Sequence, residues 1–330
     1  MGIKSLTYLI KTKTNDSIEH TNLKNLSGKR VAIDASLFIY QSLINIRKGG
    51  DTLRNKKGQS ISHLSGIFNK TINLLSLNIT PIYIFDGKPP KEKQDIIDIR
   101  KKNAADCTDK LKTEKDPEQI NLLKKKSVRI TYEHIKEIKE MLNLIGVSYV
   151  HMQGEAEGLA SELCRLNYVD YVMTEDMDSL VFGCPRLIRK SINKNNRSKD
   201  DISIFNLDTI LTSLNITHEQ FVELCILCGC DYCPSIPRIG NITAYKLIHK
   251  HKNIDTIIKN SSEKYDFPEN YMEKFEISKK LFNIFKDKIP VDSIDIHSST
   301  IDKKLLNTYL ANIFDYNKNK IDNIFNKLKI

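Results

Sequence analysis

Acidic residues follow four stretches of this sequence that have the apolar character of buried strands. They are Asp34, Asp86, Glu155, Glu157, Asp176 and Asp178. Ligands bind at the carboxyl ends of the strands in open α/β sheets, so these side chains are expected to converge there. Each close pair of carboxylates would repel by about 4 kcal/mol at an effective dielectric of about 20. Cations must relieve that repulsion, and oxygen-only ligands favour Mg²⁺ or Mn²⁺ over zinc or copper. We therefore predict a divalent-metal site for two ions.

The elements that must position these acids alternate between strands and helices. Hydrophobic patterning predicts strands at 29–34 and 81–86, with helices near 35–46 and 61–77. After Asp86 comes a charged, helix-prone stretch from Lys91 to Met141. Its first half has too few apolar residues to bury a full face. Its position after Asp86 predicts a mobile arch or lid beside the site. The pattern indicates an α/β fold with a mostly parallel, twisted sheet flanked by helices.

The composition favours a large soluble protein with an anionic partner. The chain has 330 residues, 40% of them hydrophobic, and a net charge of +10 although six acids are committed to one site. A basic exterior around an acidic metal centre suits a polyanion, of which nucleic acid is the commonest. The absence of a long apolar run predicts no membrane partner, and seven cysteines, an odd number, predict a reducing intracellular compartment.

Four cysteines lie within nine residues, and a zinc or iron–sulfur site is one interpretation of them. They are Cys225, Cys228, Cys230 and Cys233. Cys225 and Cys228, however, fall on the inner face of a helix that a Thr217–Gln220 capping box would open. One glycine between the two pairs also leaves too little chain to wrap an ion tetrahedrally. Buried free cysteine is an ordinary small hydrophobic residue, so we expect these thiols to bind no metal.

Six motifs, in this order along the chain, carry a resemblance to a known family. They are Met1-Gly2-Ile3, Val31 to Asp34, Phe85 to Pro90, Glu155-Ala156-Glu157, Thr174 to Asp178 and Gly229 to Tyr232. Together they resemble the flap endonucleases, structure-specific 5′ nucleases related to excision-repair endonucleases and 5′ exonucleases. The resemblance runs nearly end to end. It implies hydrolysis of phosphodiester bonds at 5′ DNA flaps, in replication and repair, by a two-metal-ion mechanism with Mg²⁺, for which Mn²⁺ is expected to substitute.

The resemblance also implies roles for individual residues. The metal ligands would be Asp34, Asp86, Glu155, Glu157, Asp176, Asp178 and a seventh acid, Asp231. Glu155 and Glu157 can serve one site only from a strand-to-helix junction, where Gly154 would permit the turn; Asp176 and Asp178 share a side if extended. The catalytic residues would be Lys93, Arg100 and Asp178. The DNA contacts would come from Tyr40, Arg47, Lys70, Lys93, Arg100, Glu155, Gly229 and Asp231.

A hairpin between two helices is similar to the family's helix–turn–helix-like duplex-binding region. The resemblance implies that the backbone carbonyls of Ser235, Ile236 and Ile239 hold K⁺ against duplex phosphate. Here the sequence departs from the family. Arg238 replaces a usual glycine, and Ile242-Thr243 replaces a usual Lys-Arg pair. We therefore expect an altered duplex grip, with Lys246, Lys250 and Lys252 as substitutes.

The predicted organisation has four parts. These are an N-terminal nuclease region at 1–106, a helical arch at 91–141, an internal nuclease region at 122–255 that includes the hairpin at 217–259, and a C-terminal helical segment at 260–330. The expected partner is branched DNA with a 5′ flap, bound by a monomer. The stretch from Asn307 to Phe314 only faintly resembles a sliding-clamp motif, so no clamp is predicted from it. The expected location is the nucleus of a eukaryotic cell, or a cytoplasmic replication site if the protein is viral.

Two alternative functions remain at this point. One is a 5′→3′ exonuclease or RNase H-like activity on the same scaffold. The other is a non-catalytic DNA-binding relative. Retention of all seven acids together with Lys93 and Arg100 argues against the second, because a binding module has no need of such self-repulsion.

Overall fold

A computed structural model describes residues 3, 5–151, 154–192, 198–284, 296–297 and 299–330. The chain forms two compact units. Unit 1 comprises Met1–Asn25 and Gly154–Ile294, and unit 2 comprises Leu26–Gln153 and Asp295–Ile330.

Helices and strands alternate through much of the described chain. The helices are α1 (Leu6–Lys13), α2 (Ala35–Asn45), α3 (Ser62–Ser76), α4 (Gln94–Lys110), α5 (Pro117–Lys126), α6 (Tyr132–Ile145), α7 (Ala156–Arg165), α8 (Asp178–Val181), α9 (Leu207–Leu214), α10 (His218–Cys228), α11 (Asn241–His251), α12 (Ile254–Ser261), α13 (Tyr271–Phe282), α14 (Lys303–Phe314) and α15 (Lys318–Leu328). The strands are β1 (Ile18–Asn22), β2 (Arg30–Asp34), β3 (Arg47–Lys48), β4 (Asp51–Thr52), β5 (Thr80–Phe85), β6 (Tyr149–His151), β7 (Tyr171–Met173), β8 (Arg186–Lys190) and β9 (Asp201–Asn206).

Unit 2 contains the parallel strands that the sequence predicts. β2 pairs with β5, in a register that sets Asp34 opposite Ile84, and β5 pairs with β6. Residues 31–34 and 81–85 are buried without alternation, which is typical of parallel strands covered on both faces. α3 packs on both α2 and β5. β6 begins at Tyr149, two residues later than the apolar run at 147–150 suggests.

Unit 1 adds antiparallel strands that the sequence analysis did not predict. β7 pairs with β8 in parallel, whereas β8 with β9 and β9 with β1 are antiparallel. The β1–β9 register sets Ile18 opposite Phe205, two residues that are far apart in the sequence. Of the five strand pairings in the two units, β2–β5, β5–β6 and β7–β8 are parallel. Helices flank the strands. The predicted α/β fold with a mostly parallel sheet is thus confirmed.

The charged stretch after Asp86 is helical, as predicted. It forms α4, α5 and α6, with a break before Pro117, where the Asp116 carboxylate accepts a hydrogen bond of 3.1 Å from the Glu118 N–H. α4 buries only Ala104 along its 17 residues. Arg129 donates a hydrogen bond to the Lys101 carbonyl, which ties the segment before α6 to α4. α4 and α5 therefore form an exposed helical element with little core of its own, whereas α6 buries Ile138, Met141, Leu142 and Ile145.

Other local predictions have mixed outcomes. The Thr217–Gln220 capping box opens α10, and Cys225 and Cys228 are buried on that helix, as expected. In α14, Leu310 and Phe314 are buried, so the clamp-like pattern is part of the core. The polar sequence from Asn193 to Asp201 predicts a turn, but residues 193–197 lie outside the described ranges. Within the described ranges, none of the helices has the length and apolar character needed to span a bilayer.

Candidate active site

Asp34 and Asp86 end neighbouring parallel strands of unit 2. Asp34 is the last residue of β2 and is 3% exposed; its carboxylate accepts a hydrogen bond of 3.1 Å from the Leu37 N–H and caps α2. Asp86 directly follows β5. At the end of β6, burial lowers the pKa of His151, Lys139 lowers it further, and the Asp86 carboxylate opposes both. The sheet therefore brings both carboxylates to one edge, as the sequence predicts.

Glu155 and Glu157 lie at the start of α7 in unit 1. Gly154 has a φ of +117°, a conformation that favours glycine, and Glu155 is extended, with a φ of −89° and a ψ of 130°. α7 starts at Ala156, so Glu157 lies in its first turn, where the helix dipole favours negative charge. Glu155 therefore stands outside the helix and Glu157 inside it, so regular helical spacing does not set the directions of the two side chains.

Asp176 and Asp178 are joined by a turn and not by an extended segment. The Asp178 N–H donates to Asp176 Oδ1 at 3.1 Å, and Asp178 is the first residue of α8. The Ile3 N–H also donates to Asp178 Oδ1, at 2.8 Å. Asp176 and Asp178 would share one side only in an extended strand, and the chain is not extended here. The side-chain hydrogen bond stabilises a turn that leads into α8.

A tight loop after α10 carries Asp231. Gly229 has a φ of +91°, and a Cβ at this position would lie 2.8 Å from the Ser235 backbone nitrogen. The Cys230 N–H donates to the Cys233 carbonyl at 2.9 Å, which closes a turn around Asp231 and Tyr232. Only glycine fits this approach of the two backbone segments. The structure thus gives Gly229 a packing role, while its predicted DNA contact stays a prediction.

The acids of unit 1 repel one another. Burial raises the pKa of Asp178 well above its usual range, and the charges of Asp176 and then Asp231 raise it further, while the Ile3 N–H opposes them. All the predicted ligands are oxygen donors, a set that fits a hard divalent cation that would relieve the repulsion. In the part of the chain that the structure describes, no three or more His, Cys, Asp or Glu side chains form a group able to hold a metal ion.

The two predicted catalytic cations stand on one helical segment. Lys93 ends a 3-10 turn at Lys91–Lys93 and precedes α4, and Arg100 is exposed on α4. The segment is helical throughout, so the seven positions between them correspond to about 10.5 Å along one face. Tyr40 is half-buried on α2, between buried Ile39 and the half-buried Gln41. It is therefore not a fully buried core tyrosine.

Arg47 and Lys70 make contacts that sequence reasoning missed. The Arg47 guanidinium donates to the carbonyls of Leu43 at 3.3 Å, Gly50 at 3.0 Å and Lys124 at 3.2 Å. It thereby fastens the β3–β4 hairpin to the end of α5. The Lys70 ammonium lies 3.9 Å from the centre of the Phe38 ring. Both cations have structural partners, and their contacts to DNA stay predictions.

In the hairpin between α10 and α11, Arg238 stands where the family usually has glycine. Arg238 has a φ of +67°, the left-handed region in which glycine is preferred. Its guanidinium donates to the Lys264 carbonyl at 2.6 Å, a contact that glycine could not make. Ile236 and Ile239 are buried, and the Ile239 N–H donates to the Ile236 carbonyl at 3.0 Å. The hairpin therefore keeps the backbone conformation expected of glycine at position 238, and the arginine side chain binds the hairpin to the segment after α12.

Tyr232 is a candidate functional residue that the sequence analysis did not single out. Its hydroxyl donates a hydrogen bond to the Glu155 carboxylate, across 77 residues of sequence. The only signal in the sequence is its position directly after Asp231 within the Gly229–Tyr232 motif. A single sequence does not show which distant acid such a tyrosine contacts.

Parallel strands that end in acids, followed by a charged helical insertion, are features of a metal-dependent α/β nuclease. Residues 1–106 match the XPG N-terminal domain, and residues 146–231 match the XPG I-region. The chain is 38% identical to "Flap endonuclease 1" of Glycine max, over all of this chain and 87% of that protein. The chain belongs to the flap endonuclease family.

Solved structures agree with this assignment. Flap endonuclease-1 from Methanococcus jannaschii is 27% identical and superposes with a TM-score of 0.68, covering 99% of this chain and 98% of that one. The catalytic core of Rad2 in complex with DNA substrate superposes with a TM-score of 0.71 at 22% identity, covering 99% of this chain and 100% of that chain, and supports the fold. The chain is therefore a structure-specific flap endonuclease, a DNA hydrolase of replication and repair, and its family depends on divalent metal.

Proposed function

We propose that this chain cuts 5′-flap DNA with two Mg²⁺ ions held by the seven carboxylates Asp34, Asp86, Glu155, Glu157, Asp176, Asp178 and Asp231. The observation that carries the proposal is the half-buried Asp178, which lies within electrostatic range of Asp176 and Asp231 in unit 1. Such a cluster is costly unless cations occupy it. The pair at the ends of β2 and β5 in unit 2 supplies the remaining aspartates.

The protein's own side chains orient the substrate. Bound divalent ions would activate a water and neutralise the leaving oxygen of the scissile phosphodiester. Lys93 and Arg100 would grip the scissile phosphate and stabilise its developing charge, and the Tyr40 ring would stack on the base next to the cut. The Leu37 N–H donates to Asp34 and the Ile3 N–H donates to Asp178, contacts that would help to hold these two carboxylates in place.

Metal stoichiometry tests the two-ion assignment directly. Mn²⁺, which we expect to substitute for Mg²⁺, can be titrated into the purified protein and followed by electron paramagnetic resonance. Two bound ions per chain are expected, because a single ion would leave several carboxylates uncompensated. Asp208→Asn, on the exposed first turn of α9, is the control and should bind two as well. Binding of fewer than two ions by the wild-type protein would contradict the assignment.

The duplex would be gripped by a basic cavity of unit 1. A cavity of about 390 Å³ lies between α11, α12 and the segment after α12, and its lining includes Lys246, Lys250 and Lys264 together with Thr243 and Asn260. Three cations beside neutral hydrogen-bond donors form a suitable site for backbone phosphate. The cavity stands next to Ile242 and Thr243, where the usual Lys-Arg pair is missing. K⁺ at the carbonyls of Ser235, Ile236 and Ile239 would complete this contact.

Restoring the missing cations should change salt dependence without changing chemistry. The double variant Ile242→Lys, Thr243→Arg is expected to bind flap DNA more tightly and to steepen the log–log salt slope by at most about 2, since each neutralised phosphate contributes about 0.9. Both positions are half-buried at the start of α11, so new side chains can reach solvent. The measurement is the affinity for flap DNA across a salt series, made for the wild-type protein and for the double variant. Lys259→Gln is measured beside them as the control. An unchanged slope would show that this face does not contact the duplex.

The protein's partner and location follow from the same proposal. We expect a monomer that acts on branched DNA in the compartment where DNA is replicated, the nucleus or a viral replication site. Sliding-clamp recruitment through 307–314 is not proposed, because Leu310 and Phe314 are buried in the core. The 5′→3′ exonuclease activity is the second candidate, and it would use the same carboxylates.

A further inference from the structure

Tyr232 is held between an apolar support and a carboxylate. The side chain is 8% exposed, and its hydroxyl donates a hydrogen bond to a Glu155 carboxylate oxygen. Its ring meets the Phe282 ring edge-on, with 5.4 Å between the ring centres, and Phe282 meets Phe182 in the same way at 5.1 Å. α13, which lies beyond the matched XPG I-region, therefore supports a tyrosine in the acidic site.

The backbone around Tyr232 is fixed independently of this ring stack. The Cys230–Cys233 hydrogen bond of 2.9 Å closes the turn that holds it, and Gly229 permits close contact with Ser235 on the other side. A tyrosine hydroxyl has one further degree of freedom, the rotation of its O–H bond. The phenolic oxygen is thus placed by the fold before any ion binds.

The N-terminal cap of α7 does not fix the Glu155 side chain. Glu155 is the N-cap residue of α7, yet its side chain accepts no capping hydrogen bond from that helix. A glutamate side chain has three rotatable bonds, which it must fix to serve as a ligand. A hydrogen bond from Tyr232 to a carboxylate oxygen restricts these rotations.

We infer that Tyr232 is a positioning residue, which holds the Glu155 carboxylate in the orientation needed to bind a divalent ion. This rests on the proposed role of Glu155 as a metal ligand. Hydrogen bonds from outside the coordination shell orient the ligands themselves, and their loss typically weakens metal affinity by about 10- to 100-fold. A purely structural hydrogen bond would affect stability and leave metal affinity unchanged.

Tyr232→Phe tests the inference, because it removes the hydroxyl and keeps the ring against Phe282. Mn²⁺ affinity is measured without DNA by electron paramagnetic resonance, beside thermal unfolding. The matched control is Tyr83→Phe: Tyr83 is also buried, and its hydroxyl pairs with the Thr71 hydroxyl at 2.8 Å. We expect Tyr232→Phe to weaken the affinity for one ion by about 10- to 100-fold, and Tyr83→Phe to leave both affinities unchanged.

The rate of cleavage supplies a second readout. In single-turnover assays, Tyr232→Phe should require more Mg²⁺ for half-maximal rate and should recover most of the wild-type rate at saturating metal. Should that variant fold poorly, Phe282→Leu keeps the hydroxyl but loosens the ring, and a smaller loss of affinity is expected. Wild-type binding of two ions with an unchanged affinity in Tyr232→Phe would overturn the inference alone. Failure of the wild-type protein to bind metal would overturn the proposed function instead.

Discussion

Replacing Asp178 by asparagine is expected to abolish flap incision and to leave flap DNA bound at least as tightly as by the wild-type protein. Asparagine has nearly the same size and keeps an oxygen that can accept the Ile3 N–H, so the fold around α8 is preserved. It removes a negative charge that the proposed ions need and that repels phosphate. The single-turnover rate should fall by at least about 10³-fold, corresponding to ~4 kcal/mol of lost transition-state stabilisation.

Two measurements make the Asp178 result specific. Asp208→Asn removes an exposed carboxylate from the same unit and should cut at the wild-type rate. Binding is measured with a labelled flap substrate in Ca²⁺ or without metal, so that cleavage does not interfere. An Asp178→Asn protein that cuts at the wild-type rate in Mg²⁺ would rule out Asp178 as a ligand.

Replacing Arg100 by alanine should slow the chemical step far more than it weakens binding. A cation that stabilises charge developing on the scissile phosphate is worth roughly 10²–10³ in rate, or ~2.7–4 kcal/mol. Arg100 is exposed on a helix that buries only Ala104, so its removal should hardly affect stability. Single-turnover rates at saturating enzyme separate this effect from affinity.

Lys102→Ala is the matched control for Arg100. Lys102 is equally exposed on α4, but two residues further on it points about 200° around the helix. Its loss should leave the chemical rate within about twofold, the scale of an exposed charge. A loss confined to affinity in Arg100→Ala would show that this arginine only tethers the DNA.

Local patterns in the sequence predicted the elements that carry the acids. Continuous apolar runs identified β2 and β5, because strands covered on both faces leave no polar positions. Glu155 and Glu157 are two residues apart, a spacing that would point them to opposite sides of a regular helix, so the sequence predicted a turn before the helix. Gly154, with its φ of +117°, adopts a conformation that permits this turn. Sparse apolar residues indicated that α4 is exposed. These features depend on residues that are neighbours in the chain.

Features that depend on distant contacts escaped the sequence analysis. β1 pairs with β9 although the larger part of unit 2, residues 26–153, lies between them in the sequence. A side-chain hydrogen bond, and not strand propensity, turns the chain at Asp176. In the sequence, nothing distinguishes Arg47 from a surface cation. In the fold, its guanidinium donates to three backbone carbonyls. The bond from Tyr232 to Glu155 likewise exists only in the fold.

Cleavage of a double-flap DNA, mapped to the nucleotide, tests the central claim most directly. The DNA carries a label on its 5′ flap, and a nicked duplex of the same sequence is run beside it, each with Mg²⁺ and with a chelator. The predicted result is one principal incision at the flap junction, a product whose length follows the length of the flap, little release from the nicked duplex, and no cleavage with the chelator. Stepwise release of mononucleotides from the nicked duplex at a rate equal to or above that of flap incision, or cleavage that persists with the chelator, would contradict the account.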